Sequence, residues 1–431
     1  MSLRKRLVAD GLFTFALRIV NMAASAGLGI LTARVLGPHG RGIYALPMVD
    51  AALVSAGFSG LSLATSYFML RRNAGRGVLR ATFIAMIVFV LGGALATVAI
   101  AALTRNLWSC VPAMLSLPGP AALTVAYGYA VGTHRVRINT SLALVSTVML
   151  ALFMVTAFAV AGGTPTTSIT AWVISSNVLA VAILVWIYRD SRRLASEVVR
   201  VTEYITYALR TGAVNIVALL NYRADVYIVA IFGGPTLLGM YTLAVAAAET
   251  LLTATQVTAV VTSPLVGSMD RAAAAELTAR CVRHNVIVAS ICCGALSIAA
   301  PFVVHLLYGK AFLPMVPALR VLLFGVFALS LGSPMSTFFT LRLGKPEISL
   351  ILASISAVIC IVVSILLVPR IGLIGAAIGS TLAYVLGQAA AIAYFGSISG
   401  ISAGRMLIPQ FRDLVVYAEI VAGLTRRLRR T

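Results

Sequence analysis

The chain alternates between long apolar windows and short stretches that carry its charges, glycines and prolines. In the first half the windows fall near 11–33, 43–68, 81–103, 110–132, 140–161 and 168–188; in the second, near 206–231, 238–264, 285–307, 318–341, 348–368 and 373–396. Each is long enough to cross a hydrocarbon core of about 30 Å as an α-helix. A lone amphipathic period would leave a polar face, and these windows have none to spare. The pattern predicts an all-α polytopic membrane protein of about twelve transmembrane helices, six in each half.

The breaks between windows fix an orientation. With the N-terminus in the cytoplasm, the inner segments hold 24 of the 33 Lys and Arg residues, including the Arg4–Arg6 cluster, the 71–80 segment, the 189–200 segment and six arginines from Arg405 to Arg430. Five lie outside (Arg34, Arg41, Arg105, Lys310 and Arg370), and the other four lie within spans or at their edges. Cytoplasmic loops of membrane proteins carry the excess of basic residues, so the asymmetry predicts both termini inside the cell membrane. The domains expected are an N-terminal bundle over 1–188, a cytoplasmic linker over 189–205, a C-terminal bundle over 206–396 and a basic tail over 397–431. In that tail Leu407, Phe411, Leu414, Val415, Ala418 and Val421 recur at helical spacing. This predicts an amphipathic helix on the inner leaflet, with the terminal arginines near anionic membrane lipids.

Composition agrees with the windows: 60% of the residues are hydrophobic and 10% are charged, against about 25% charged in soluble domains. The net charge of +21 would suggest nucleic acid as a partner of a soluble protein, but here its distribution is a topology signal. The N-terminus imitates a signal peptide, and Arg18 in the middle of the apolar run argues for a first span instead. Five cysteines, Cys110, Cys281, Cys292, Cys293 and Cys360, have no zinc or redox spacing and read as free, packed thiols.

The sequence repeats itself once. Gly37-Pro38-His39-Gly40-Arg41-Gly42-Ile43-Tyr44-Ala45-Leu46 and Gly234-Pro235-Thr236-Leu237-Leu238-Gly239-Met240-Tyr241-Thr242-Leu243 share the pattern G-P-x-x-x-G-x-Y-x-L, 197 residues apart. Each follows the first span of its half. The expected structure is a tight outer corner in which Pro presets φ, Gly permits close approach and Tyr anchors at the headgroups. Both copies begin on the same side of the membrane, so the halves are expected to be parallel repeats with the transport site between them.

The stretches Ala33-Arg34-Val35-Leu36-Gly37-Pro38, Leu220-Asn221-Tyr222-Arg223-Ala224-Asp225, Leu306-Leu307-Tyr308-Gly309-Lys310-Ala311-Phe312 and Val368-Pro369-Arg370-Ile371-Gly372-Leu373-Ile374-Gly375 fall in order at span boundaries. Through them the chain resembles the multidrug/oligosaccharidyl-lipid/polysaccharide (MOP) exporter superfamily, and within it the O-antigen-type polysaccharide flippases. The resemblance implies a MATE-like transporter of two six-helix bundles forming a V. It also implies transport of polyprenyl-pyrophosphate-linked oligosaccharide from the inner to the outer leaflet by alternating access, for cell-surface polysaccharide such as lipopolysaccharide. Partners would be that lipid-linked oligosaccharide and the polymerase or glycosyltransferases of the same pathway.

Ionisable groups inside spans are few, and each should face water or a partner because a central charge costs at least about 2.5–3.5 kcal/mol on insertion scales. Arg18, Asn21 and Ser25 share one helix face, and an arginine fork suits pyrophosphate oxygens. With Asn221, Arg223 and Asp225 they are the expected substrate-binding residues, Arg18 and Arg223 facing one cavity from opposite halves. Snorkelling is the alternative for Arg18, and pairing with Asp225 or Glu249 the alternative for Arg223. Asp50 and Glu249 are expected coupling-ion residues, for a proton or sodium, with a structural hydrogen bond as the alternative. Nothing reads as an enzyme: His39, His134, His284 and His305 are scattered, there is no P-loop and no carboxylate dyad, and no metal or cofactor is implied. Rival readings are a drug or small-molecule antiporter, a lipid II flippase, a membrane-embedded sugar ligase or polymerase, and a silent assembly scaffold. Outside loops of about ten residues or fewer argue against the ligase and polymerase.

Reporter fusions after Arg72, Arg193, Arg280 and the C-terminus should report cytoplasm, and fusions after Gly40, Thr164, Thr236 and Gly309 the exterior. A well-behaved fusion on the wrong side would force the spans to be redrawn.

Overall fold

A computed structural model describes residues 3–72, 75–103, 107–191 and 199–410. Residues 192–198 of the expected linker and 411–431 of the expected tail helix lie outside the described residues. The helices are α1 (Leu3–Ala56), α2 (Ser59–Arg72), α3 (Gly75–Leu103), α4 (Leu107–Ser116), α5 (Pro118–Gly132), α6 (Val136–Ala161) and α7 (Pro165–Ser191). There follow α8 (Val201–Thr250), α9 (Leu252–Ser268), α10 (Arg271–Tyr308), α11 (Val316–Ser330), α12 (Gly332–Thr337), α13 (Pro346–Ser399) and α14 (Ala403–Leu407). Among the described residues there is no strand.

Nine helical runs of the described residues are long and apolar enough to cross a membrane. Three of them are broken by a glycine of positive φ: Gly37, Gly234 and Gly372. At two of these the chain doubles back. Gly379 packs on the Ser364 backbone nitrogen and the Cys360 carbonyl, and Gly387 on the Ser356 hydroxyl, which is an antiparallel register about Gly372. Tyr241 bonds Asp225, and the Arg223 guanidinium donates to Glu249, which brings the two arms of α8 side by side about Gly234. Gly37, with φ 65° and ψ 179°, copies the backbone of Gly234, with φ 71° and ψ 179°. Two crossings in each of the three broken runs and one in each of the other six give the expected twelve. Large apolar side chains such as Leu95, Val160 and Ile298 stand exposed on these helices, as a lipid solvent requires.

The chain forms two compact units, one of Met1–Leu220 with Gly234–Met240 and one of Asn221–Gly233 with Tyr241–Thr431. The division passes through α8. In the first unit α2 lies against α5, and α6 against α1 and α7, around Phe58, Leu61, Phe68, Tyr129 and Tyr204. In the second, α11 lies against α10 and α13. A cluster of Phe338, Phe339, Phe395 and Met406 closes one end, where Arg271 and Arg283 donate to the carbonyls of Ile398 and Arg405.

The first copy of the repeated corner and Gly234–Met240 of the second belong to the first unit, and they pack reciprocally. A Cβ on Gly42 would run into the Pro235 carbonyl, and one on Gly239 into the Pro38 carbonyl. His39 Nδ1 and Thr236 Oγ1, the third residues of the two copies, are 3.2 Å apart. The tyrosines depart from expectation. Tyr44 and Tyr241 are buried, at 2% and 0% exposure, so neither anchors at the headgroups; each points from the corner into its own bundle.

Gly42→Ala and Gly239→Ala should each cost about 1–3 kcal/mol through overpacking, seen as a lower melting temperature in detergent. Gly92→Ala, where a Cβ meets open space, should be neutral. Equal behaviour of all three would contradict the contact.

Candidate functional site

The polar groups inside the spans form separate clusters, and the hairpin about Gly234 builds two of them. Arg223 and Glu249 face each other across it: the guanidinium Nη1 and Nη2 donate to Oε1 and Oε2 at 3.2 and 2.9 Å. The fork satisfies both carboxylate oxygens at once, the geometry that makes such pairs strong. The side chains remain 35% and 24% exposed, so the pair is half-buried.

Two residues beyond Arg223, Asp225 is buried at 2% exposure. Its Oδ2 accepts from Tyr241 Oη and from Ser380 Oγ, both at 2.6 Å, and its Oδ1 from the Val226 backbone N–H at 2.8 Å. Cys360 Sγ lies 3.7 Å from the Ser380 hydroxyl. Three donors satisfy the carboxylate oxygens in an otherwise apolar setting, and they hold α8 to α13. The sequence marked Asp225 but not Ser380, and it misread Tyr241.

In the first unit Asp50 is fully buried, and Ser109 Oγ donates to its Oδ2 at 2.8 Å. Arg18 and Ser25 are exposed on α1, while Asn21 between them is half-buried with a carbonyl oxygen that meets no donor. The side chain of Asn221 lies outside the described residues. Arg320 Nε donates to the Ser297 carbonyl at 3.0 Å. All five cysteines are free, and Cys281, Cys293 and Cys360 are buried. Among the described residues no group of three or more His, Cys, Asp or Glu side chains is placed to hold a metal ion.

The arrangement of crossings matches solved transporters. Over 95% of this chain and 89% of the other, it superposes on the lipid II flippase MurJ in an inward closed conformation, at 12% identity and a TM-score of 0.72. It has the fold of the MOP-superfamily transporters. An inward-facing multidrug-resistance MATE transporter is similar at 16% identity and a TM-score of 0.67, covering 91% of this chain and 99% of that one. A MOP transporter from Pyrococcus furiosus, described by a binding pocket of reversed polarity, is similar at 15% identity and 0.60, covering 92% and 95%. No protein-family model and no curated protein matches the chain in sequence.

Tyr241→Phe and Ser380→Ala each remove a hydrogen bond to a charged group, so each should cost about 1.5–3 kcal/mol. The double variant should cost more than their sum, because either donor alone still satisfies the shared oxygen and losing both leaves it bare. Strict additivity in detergent unfolding would mean that the hydroxyls do not share Asp225.

Proposed function

We propose that the chain is a flippase that carries a polyprenyl-pyrophosphate-linked oligosaccharide from the inner to the outer leaflet of the cell membrane by alternating access. Its termini lie in the cytoplasm, and it works between the glycosyltransferases that build the repeat unit and the polymerase that consumes it. The fold supports a transporter. The state of the in-span charges supports an anionic cargo: Glu249 is filled by a guanidinium, Asp225 by three donors, and Asp50 is sealed from solvent. None of the three presents an open carboxylate to a cationic drug, whereas Arg18 is exposed and Arg223 is half-buried. Arginine binds phosphate oxygens through two parallel N–H bonds and stays charged at any physiological pH. Glu249 restrains Arg223 without cancelling its use, since a guanidinium has five donors and the carboxylate takes two.

A second reading, favoured by the likeness to the MurJ structure, is a flippase of lipid II. Both readings give the arginines the same task and differ in the sugar carried.

The test is outer-leaflet oligosaccharide lipid at matched protein abundance for Ala and Lys at Arg18 and Arg223. Lys keeps the charge and loses the fork, so transport should fall in the order wild type, Lys, Ala. A residue that merely snorkels tolerates Lys without loss. Wild-type transport in both Ala variants would end the phosphate-binding role, and an effect at Arg223 alone would return Arg18 to the interface.

A further inference from the structure

Arg320 lies in an apolar window of the second half and belongs to none of the polar clusters above. A proline on the neighbouring helix explains how it is held. Pro301 lies inside α10, and because proline has no N–H, the carbonyl four residues back, that of Ser297, loses its helical donor. Arg320 Nε, from α11, donates to that carbonyl at 3.0 Å. A neighbouring helix that satisfies the freed group is what lets proline stand in a helix surrounded by lipid.

The bond orients the guanidinium without neutralising it. A guanidinium has five N–H donors, and Nε uses one of them here. The residue is exposed, and none of the ion pairs among the described residues involves it. The sequence has no Asp or Glu from 277 to 346, a stretch that holds all of α11 and nearly all of α10. The other carboxylates of the second unit are elsewhere or taken. Asp270 and Glu276 stand at the start of α10 and Glu347 at the start of α13; Glu276 is about 30 Å along the helix from Ser297 at 1.5 Å per residue. Asp225 and Glu249 have their own donors.

The surroundings are those of a lipid-facing surface. Phe324, one turn on from Arg320 and on the same face, is exposed, and so are Ile298 and Phe302 beside Ser297 on α10. A charge among such side chains is costly unless it reaches a partner. Arg320 is in the second turn of α11. Side chains lean toward the N-terminal end of their helix, so this one leans toward the corner where α10 meets α11, the direction in which a long basic side chain snorkels to the headgroups. His305 and Lys310 at that corner are also exposed.

We propose that Arg320, held by the Ser297 carbonyl that Pro301 frees, is a binding site for the phosphodiester of a membrane phospholipid on the lipid-facing side of the second unit. The Nη1 and Nη2 groups donate to two phosphate oxygens, the parallel arrangement that suits arginine, while Nε stays on the carbonyl. The lipid supplies the negative charge that this part of the chain lacks. The expected orientation puts this corner outside, so the lipid belongs to the outer leaflet.

The test titrates the full-length protein in detergent with phosphatidylglycerol, with a diacylglycerol of the same chains and with inorganic phosphate, and counts bound lipid by native mass spectrometry. Arg320→Gln should weaken the tightest phosphatidylglycerol site by about tenfold, the scale of a lost hydrogen-bonded contact between charged groups. Diacylglycerol should bind both proteins alike, and inorganic phosphate should not displace the phospholipid. Pro301→Ala separates this role from a structural one, because a backbone N–H at position 301 can serve the Ser297 carbonyl in place of Arg320. Adding Arg320→Gln to Pro301→Ala should still weaken phosphatidylglycerol binding, and this pair decides the matter should Arg320→Gln alone misfold. Equal phosphatidylglycerol binding with and without Arg320, or a loss seen only while Pro301 is in place, overturns the site. An equal loss for diacylglycerol reduces it to apolar contact and overturns the phosphate, and displacement by inorganic phosphate overturns the lipid as its ligand.

Discussion

A charge inside a bundle surrounded by lipid has three stable conditions: paired with an opposite charge, held by several donors, or open to water. A fourth is open to a carboxyl group, which is to give up the charge by binding a proton. The in-span groups of this chain illustrate each condition in turn. Arg223 and Glu249 are paired, Asp225 is held by two hydroxyls and a backbone N–H, and Arg18 is exposed. Asp50, with one donor and one orphan oxygen, fits the fourth. The constraint therefore sorts five in-span residues into different conditions.

The repeat makes the sorting sharper. The corners are near copies in sequence and in backbone dihedrals, and glycine on carbonyl is the contact between them. The charges were added unequally on top of that shared frame. The positions 197 residues before Arg223, Asp225 and Glu249 are Ala26, Leu28 and Ala52. Tyr44 thus repeats Tyr241 without its carboxylate, and its buried hydroxyl meets no partner. Scaffold and chemistry are separable here: the corner positions the helices, and each half carries its own polar cluster.

The crossings were legible because an apolar window of span length has no other stable solution in lipid, and the corners because G-P-x-x-x-G-x-Y-x-L occurs twice. Arg223 beside Glu249 was legible as one of two alternatives. What could not be read was register. Tyr241 looked like a headgroup anchor because aromatic residues near span ends usually are; only the hairpin about Gly234 turns it toward Asp225. Ser380 and Ser109 lie 155 and 59 residues from the carboxylates they serve, and a serine in an apolar window carries no signal of its own. The boundary of the compact units was hidden for the same reason: the second corner packs on the first rather than on its neighbours in sequence.

The central claim is that the cargo is an anionic lipid-linked sugar. Purified protein in liposomes should be offered, in parallel, a labelled polyprenyl-pyrophosphate oligosaccharide and a permeant-free cationic drug, with leaflet exposure of the first and vesicle uptake of the second followed in time. Faster exposure of the oligosaccharide lipid than in protein-free vesicles, with no transport of the drug, is the result the account predicts. Transport of the cation with no effect on the lipid would contradict it.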